Sequence, residues 1–231
     1  MGAVLHLETP CLRLPKARAL VMLGPPGAGK GTQSRAVAGE FRIPDISTGE
    51  MLREAVREKT ALGLEVKSVM EAGGLVPDEL VSGMVEERTL RPDCARGFIL
   101  DGFPRNLEQA LFLDRMLQKQ ERDGALVVNI IADTDALLRR LTGREICPVC
   151  GSIYNVYLRP PQKPGFCDKD GAPLTRRNDD SQEVIRKRLK EYEAQTRPML
   201  DHYREMALLH DVDGSQEPSA VTANIFRLVE G

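Results

Sequence analysis

Aromatic residues and net charge are both scarce in this sequence of 231 residues. It has no tryptophan, and aromatic residues make up only 4% of the chain. Proteins that bind single-stranded nucleic acid stack bases on aromatic side chains, so we do not expect a base-stacking surface. The formal net charge is −2, which speaks against an overall cationic footprint for nucleic acid or for an anionic membrane.

Long apolar runs and a clear targeting signal are also missing from the sequence. No run approaches the roughly 20 apolar residues that a membrane-spanning helix needs. Residues 1–17 contain a short apolar patch, but neither the apolar length nor the cleavage site of a secretory signal is clear. We therefore expect residues 1–17 to be a disordered extension and the protein to be cytoplasmic.

Cysteines are few, and their number, five, is odd. A secreted disulfide framework would be denser and even-numbered. Cys147-x2-Cys150 and Cys167-x2-Asp170 instead form two short knuckles, and three thiolates with one carboxylate can surround a tetrahedral Zn²⁺. With all four positions filled by protein, the metal would be structural. Asp168 as a rival ligand, a redox Cys-x-x-Cys pair and simple buried thiols stay open as alternatives.

The clearest motif is a glycine-rich loop between a predicted strand and a predicted helix. The apolar run 19–23 predicts a buried strand, and Gly24-x4-Gly29-Lys30 follows it. Glycines let backbone N–H groups surround a phosphate, the helix N-terminus adds partial positive charge, and the lysine reaches the outer phosphates. The next position, usually Ser or Thr, is Gly31, which weakens the case for direct Mg²⁺ binding by the loop. A glycine-rich turn without a ligand is the alternative.

Short apolar runs alternate with helical patterns along the rest of the chain. This order predicts an α/β, P-loop NTPase fold with a five-stranded parallel sheet, helices on both faces and two inserted lobes. Further strands are predicted at 43–46, 98–100, 126–131 and 208–212. The core would comprise 18–46, 77–143 and 179–231, interrupted by a helical lobe at 47–76 and a lobe rich in Pro, Gly and Cys at 144–178.

Two local signals refine this prediction. Ser47-Thr-Gly-Glu50 has the spacing of a capping box, in which the serine and glutamate side chains close the first turn of a helix. Pro198 falls within a long charged helical pattern that starts at Asp180, and we expect it to kink that helix.

Charged residues near predicted turns indicate phosphate chemistry. Asp101 ends an apolar strand and should point into the crevice where open α/β sheets bind ligands. Planar guanidinium groups match the oxygens of a transferring phosphoryl group, although a solvated surface charge is the simpler interpretation of any single arginine. The candidates are Arg53, Arg105, Arg140, Arg144, Arg177 and Arg188. The three histidines fall in no motif, and in-line transfer between two nucleotides needs only positioning, charge compensation and exclusion of water.

Taken together, these motifs resemble the adenylate kinases. The resemblance spans residues 18–231 and rests on Gly24–Thr32, Ile46–Arg53, Gly74–Val76, Asp101–Arg105, Gln109, Arg140–Arg144, Arg177–Asp180 and Val212–Gln216. Gly31 is usual in that family. The cysteine-containing lobe is similar to the lid of the bacterial-type, long-lid, zinc-containing branch.

The resemblance implies reversible, Mg²⁺-dependent phosphoryl transfer from ATP to AMP, giving two ADP, for adenine nucleotide homeostasis. It also implies a cytoplasmic monomer without nucleic-acid or membrane partners. Another nucleoside monophosphate kinase specificity, such as GTP:AMP phosphotransfer, is the alternative. A GTP-cycling switch protein would need a guanine-specificity motif and a hydrolytic glutamine, which we do not find in a suitable context. A nucleic-acid-binding zinc ribbon is disfavoured by the balanced charge.

The resemblance also implies roles for individual residues. ATP would contact Gly27, Ala28, Gly29, Lys30, Gly31, Thr32, Arg144, Ile153, Tyr154 and Gln216. AMP would contact Thr48, Arg53, Gly74, Leu75, Val76, Gly102, Phe103, Pro104, Arg105, Gln109, Arg177 and Arg188. Catalysis would involve Lys30, Asp101, Arg105, Arg140, Arg144, Arg177 and Arg188, with Asp101 orienting Mg²⁺ through water. The 47–76 lobe would bind AMP, and the 144–178 lobe would be a zinc-binding lid.

Overall fold

The computed structural model describes residues 19–230, so the predicted extension at residues 1–17 lies outside the described range. The strands are β1 Ala19–Leu23, β2 Asp45–Ser47, β3 Phe98–Asp101, β4 Ala125–Ile131, β5 Arg144–Ile146, β6 Ile153–Asn155 and β7 Leu209–Asp213. The α-helices are α1 Lys30–Phe41, α2 Thr48–Arg57, α3 Ala61–Glu71, α4 Asp78–Thr89, α5 Leu107–Lys119, α6 Thr134–Thr142, α7 Gln182–Glu191, α8 Arg197–Glu205 and α9 Pro218–Glu230.

Five parallel strands form the central sheet, as predicted. Their order is β2-β3-β1-β4-β7, and every neighbouring pair is parallel. β1 is the middle strand and is buried along its whole length. Its Val21 pairs with Leu100 of β3 on one side and with Val127 of β4 on the other. The loop that follows β1 therefore emerges at the centre of the sheet's carboxyl edge, where open α/β sheets bind ligands.

Successive residues of each strand face opposite sides of the sheet, so the sheet has two cores. Phe98 and Leu100 pack on one side with residues of α4, α5 and α8. Ile99 packs on the other side with residues of α1 and α9. This alternation confirms a sheet covered by helices on both faces. No helix in residues 19–230 combines the length and the apolar character needed to span a membrane.

The predicted start of the second strand and the predicted capping box both need correction. β2 begins at Asp45 rather than at Ile43, after Pro44, which has no N–H to donate to a neighbouring strand. The predicted capping box is wrong, because Ser47 makes no side-chain cap. The Glu50 carboxylate accepts instead from Arg53 at 2.7 Å.

The helix that contains Pro198 has a π-helical segment just before the proline, and the predicted kink at Pro198 stays a prediction. α7 ends at Glu191, a π-helical segment runs over Tyr192–Thr196, and α8 has Pro198 in its first turn. Proline has no N–H to donate within a helix, and the wider π turn lies just before it. This segment reaches the candidate site, because the Thr196 hydroxyl donates to the backbone oxygen of Arg105 at 2.7 Å.

Candidate active site

The loop between β1 and α1 has the backbone that the glycine pattern predicts. The φ angles of Gly24, Gly27 and Gly29 are 135°, 86° and 105°, a region that favours glycine. A Cβ on Gly24 would also lie 2.5 Å from the Ile130 carbonyl oxygen. The N-terminus of α1 carries no side-chain cap, so its partial positive charge is available to an anion.

Lys30 folds back over this loop and is surrounded by charged residues. Its Nζ donates to the carbonyl oxygen of Gly24 at 2.7 Å and of Pro25 at 3.1 Å. Burial lowers the pKa of Lys30 to about 8; Asp101 opposes this shift, while nearby arginines add to it. Those arginines are Arg105, Arg188 and Arg144. Four of the predicted catalytic side chains therefore lie within electrostatic reach of the Lys30 ammonium.

Asp101 explains why a glycine follows Lys30. A Cβ built on Gly31 would lie 3.2 Å from Oδ2 of Asp101. A serine or threonine side chain would crowd the carboxylate that β3 delivers to the same place. A side chain at position 31 would therefore require Asp101 to shift by a few tenths of an ångström, and the oxygens of this carboxylate would suit Mg²⁺.

Two arginines on one side of the site share a pair of aspartates. Arg144 binds both carboxylate oxygens of Asp180 through Nε, at 2.7 Å, and through a second guanidinium nitrogen. Arg188 lies 3.0 Å from Asp179 and 3.5 Å from Asp180. These ion pairs hold both guanidinium groups near Lys30.

Two further arginines converge on the 47–76 lobe. Arg53 donates to Glu50 at 2.7 Å and lies 3.9 Å from Asp179. Arg177 also pairs with Glu50, so residues of the two predicted lobes are in contact. Burial lowers the pKa of Arg177 to about 10, and Arg53 lowers it further. Burial is the largest cause of this shift; Arg144 also lowers the pKa, and Glu50 and Asp179 oppose the shift.

Arg140 lies in a different environment from the other arginines. Its guanidinium donates to the Ala28 carbonyl oxygen at 3.2 Å and to that of Gly214 at 2.6 Å. It therefore braces the loop after β1 against the turn after β7. A catalytic role for Arg140 stays a prediction.

The segment after β3 builds a second cluster of polar groups. Thr48 donates its hydroxyl to the Gly102 carbonyl oxygen at 3.0 Å, and Arg105 Nε donates to the same oxygen at 2.9 Å. The Arg105 backbone N–H donates to Oε1 of Gln109 at 2.8 Å. Burial lowers the pKa of Arg105 to about 10, and Arg188 contributes to the shift. The structure thus joins Thr48, Gly102, Arg105 and Gln109 in one hydrogen-bond network, which lies beside the charged cluster around Lys30.

The other predicted nucleotide contacts lie in three places. Phe103 and Pro104, both buried, continue the turn after β3. Gly74, Leu75 and Val76 connect α3 to α4, and Val76 is buried in the core. Gln216 follows β7, where its amide lies 3.4 Å from Asp213.

Tyr154 has its side chain inside the cysteine lobe. It is 6% exposed and packs with Cys147 and Cys167, and its hydroxyl accepts from the Asp168 N–H at 2.8 Å. A nucleotide near the β6 residues Ile153 and Tyr154 would therefore contact the tyrosine through its backbone.

The four predicted metal ligands come together. One atom from each of Cys147, Cys150, Cys167 and Asp170 lies within 4.8 Å of the others. The Cys150 and Cys167 sulfurs are 3.5 Å apart, and the Cys147 sulfur is 3.2 Å from Oδ2 of Asp170. The Val149 N–H points at the Cys147 sulfur at 3.4 Å. Such backbone support stabilises a thiolate ligand, so the donor set and its spacing fit Zn²⁺.

Asp168, the rival fourth ligand, is engaged elsewhere. Its Oδ1 accepts from the Gln162 N–H at 2.8 Å. Side-chain hydrogen bonding with Cys150 holds the pKa of Asp170 below its ordinary value, and the Ala172 N–H acts in the same direction. Asp170 is therefore the carboxylate that the fold presents to the sulfurs.

Sequence reasoning missed the acidic side of the site. Glu50, Asp179 and Asp180 hold the arginines in place, and Asp45 lies on β2 between apolar residues. The Asp179-Asp180 pair, which follows Arg177 closely in the sequence, is the signal that could have indicated these acidic partners. Burial raises the pKa of Asp45 to about 7, and Asp101 adds to the shift. Its Oδ1 is buried without a hydrogen-bond partner among the described residues.

The Asp45→Asn variant is expected to be more stable than the wild type, by an amount that depends on pH. An ordinary Asp ionises near pH 3.8, but the folded protein keeps Asp45 protonated up to about pH 7. Holding this carboxyl in the folded protein therefore has no ionisation cost below about pH 4. Between pH 4 and pH 7 the cost to the free energy of unfolding grows, and above pH 7 it is roughly 2–4 kcal/mol. Thermal melts at pH 4 and pH 8 would show the gain only at pH 8. The exposed Glu65→Gln is the control, and an equal gain at both pH values would contradict the expectation.

Comparison with known proteins gives matches over most of this chain. The family model described as adenylate kinase matches residues 22–208. An adenylate kinase of Brevibacillus brevis is 49% identical over 212 residues, covering 92% of this chain and 99% of the relative. That of Bacillus subtilis is 48% identical over 92% of this chain and 98% of the relative. That of Archaeoglobus fulgidus is 46% identical over 91% of this chain and 97% of the relative.

Proposed function

Because this chain belongs to the adenylate kinase family, we infer that it catalyses the reversible, Mg²⁺-dependent transfer of a phosphoryl group from ATP to AMP, giving two ADP. The observation that carries this function is the convergence of a buried lysine and several arginines on the loop after β1. Phosphoryl transfer between two nucleotides requires two neighbouring anion sites with positively charged residues shared between them.

The donor site would be the loop after β1. Backbone N–H groups of residues 27–32 would surround the ATP phosphates at the N-terminus of α1. Lys30 would leave the carbonyl oxygens of Gly24 and Pro25 and bind the phosphoryl group in transfer. Arg144, the backbone of Ile153 and Tyr154, and Gln216 would border the rest of the nucleotide.

The acceptor site would lie between the 47–76 lobe and the turn after β3. Arg53 supports this assignment, because its Nε is a buried donor without a partner among the described residues. An AMP phosphate would supply the missing acceptor and would relieve the repulsion between Arg53 and Arg177. Thr48, Gly74–Val76, Gly102–Arg105 and Gln109 would hold the nucleoside.

Catalysis would depend on positioning and charge rather than on a covalent relay. Arg105, Arg177 and Arg188 come from three different segments and would meet the transferring group from the acceptor side. Guanidinium groups so placed are worth about 10³- to 10⁵-fold in rate. The contact between Arg177 and Glu50 supports closure of the lobes over the site, which would exclude water.

Asp101 would serve the magnesium ion. Its carboxylate lies beside Gly31 and would orient Mg²⁺ through water. When bound, Mg²⁺ supplies charge neutralisation on the phosphate oxygens.

The 144–178 lobe would be a lid that a structural Zn²⁺ holds in shape. The four ligand atoms of Cys147, Cys150, Cys167 and Asp170 lie within 4.8 Å of one another and would complete a tetrahedral set, and few large apolar side chains pack in this lobe. We propose further that the enzyme acts as a monomer in the cytoplasm, as the family resemblance implies. Sedimentation at several concentrations would test the monomer.

Product analysis of the purified protein tests the function. With ATP, AMP and Mg²⁺ it should form ADP, two molecules for each ATP consumed. GTP in place of ATP should give much less turnover if the donor site prefers adenine. A folded protein that forms no ADP would refute the assignment, and equal rates with GTP would favour the GTP:AMP alternative.

A further inference from the structure

We propose that Asp78 fixes the side-chain amide of Gln109 in one orientation and thereby selects a 6-aminopurine monophosphate over a 6-oxopurine monophosphate as phosphoryl acceptor. Asp78 would be a positioning residue that determines specificity through Gln109. The inference rests on the proposed acceptor site, to which Gln109 belongs.

Gln109 is held at both ends of its amide. It is 3% exposed, its Oε1 accepts the Arg105 backbone N–H at 2.8 Å, and its Nε2 donates to Oδ1 of Asp78 at 2.6 Å. The second oxygen of Asp78 accepts from Asn106 Nδ2 at 2.8 Å. Asn106 in turn caps α5 by accepting the Gln109 N–H at 2.9 Å. The four residues form a closed network that leaves the amide little freedom.

The two partners of the amide permit only one orientation. A carboxylate can only accept a hydrogen bond, and a backbone N–H can only donate one. Turning the amide over would place Oε1 against the Asp78 carboxylate and the NH₂ group against the Arg105 N–H. Both hydrogen bonds would be lost in a buried place, where an unsatisfied polar group is costly. The first turn of α4 also favours the negative charge of Asp78.

A fixed amide still has one N–H and one oxygen lone pair to offer a base. Position 6 of adenine carries an amino donor, whereas position 6 of guanine or hypoxanthine carries a carbonyl acceptor. A freely rotating glutamine could satisfy either by turning over. With Asp78 in place, only the donor pattern of adenine meets the fixed oxygen, and a 6-oxopurine would leave buried polar groups unpaired.

The test compares AMP with inosine monophosphate (IMP) as acceptor, with ATP as donor, in wild type and Asp78→Asn. An asparagine at position 78 has nearly the same shape but can turn to donate or accept, so it no longer dictates the orientation of the Gln109 amide and leaves the Arg105 N–H to do so. We expect the AMP-to-IMP ratio of kcat/KM to fall at least about 10-fold, with KM for ATP unchanged. Glu79→Gln, which removes an exposed carboxylate from the same helical turn, should leave the ratio unchanged.

Two additions keep the inference falsifiable. Asp78→Ser, whose hydroxyl also donates or accepts, should lower the same ratio if Asp78→Asn does not fold. Calorimetric affinities for AMP and IMP give the ratio without turnover. A loss of activity with an unchanged ratio would show that Asp78 only supports the fold and would overturn the inference. If the wild type formed no ADP but its calorimetric affinities still discriminated AMP from IMP, that result would count against the proposed function instead.

Discussion

Replacing Lys30 by methionine is expected to lower kcat for ADP formation by about 10²- to 10³-fold, the usual effect of removing one preorganised electrostatic contact to a transition state. Methionine keeps the length and the apolar stem of lysine but loses the charge. The fold should survive and even gain stability, because burial lowers the pKa of Lys30 to about 8 and therefore disfavours the ammonium in the folded protein. Steady-state rates at saturating ATP and AMP, together with thermal melts, measure both effects.

The pH dependence separates this role of Lys30 from a structural one. In the free enzyme the ammonium is lost as pH rises through about 8, so wild-type affinity for ATP should fall over that range. Lys30→Met should show weak affinity without that fall. Lys119→Met, which removes an exposed lysine paired only with Glu86 at 3.4 Å, should behave as wild type. A kcat within a few-fold of wild type for Lys30→Met would contradict the role.

The central sheet and the loop could be predicted because their causes are local. The apolar run 19–23 has no polar residue to place at the surface, and Gly24 has a φ of 135°, a local conformation that favours glycine. The surroundings of Gly31 could not be predicted from its neighbours in the sequence. The Asp101 carboxylate beside it comes from a strand that lies 70 residues further on and pairs beside β1.

The acidic partners of the site could not be predicted because spacing along the chain does not say which residues meet across the fold. Glu50 has the spacing of a helix cap, yet two arginines hold its carboxylate. Arg140 looks like the other arginines in sequence, but backbone carbonyl groups occupy its guanidinium. Asp45 is the first residue of β2, and the reason for a carboxylate there is not evident from the structure.

Zinc removal is expected to have the largest effect on stability, and Cys147→Ser is the direct way to produce it. A structural zinc site contributes about 10–16 kcal/mol to the folding of an isolated finger. In the intact chain, only the part of this free energy that couples the lobe to the core would add to the stability of the whole protein. We expect the bound metal to be lost and Tm to fall by about 10 °C, as a loss of several kcal/mol gives in a chain of this size. Metal analysis and calorimetry measure both changes.

Activity at low temperature decides whether the metal is structural. Four protein ligands would leave no open coordination position on a tetrahedral metal, so Cys147→Ser should retain most of the wild-type kcat well below its Tm. Cys94→Ser is the matched control, since Cys94 is also a buried thiol, accepts from Arg88 at 3.2 Å and lies outside the cluster. It should keep the metal whatever it does to Tm. Unchanged metal content in Cys147→Ser would remove the zinc site, whereas complete loss of kcat in a folded Cys147→Ser would mean that the lid needs its metal to close over ATP.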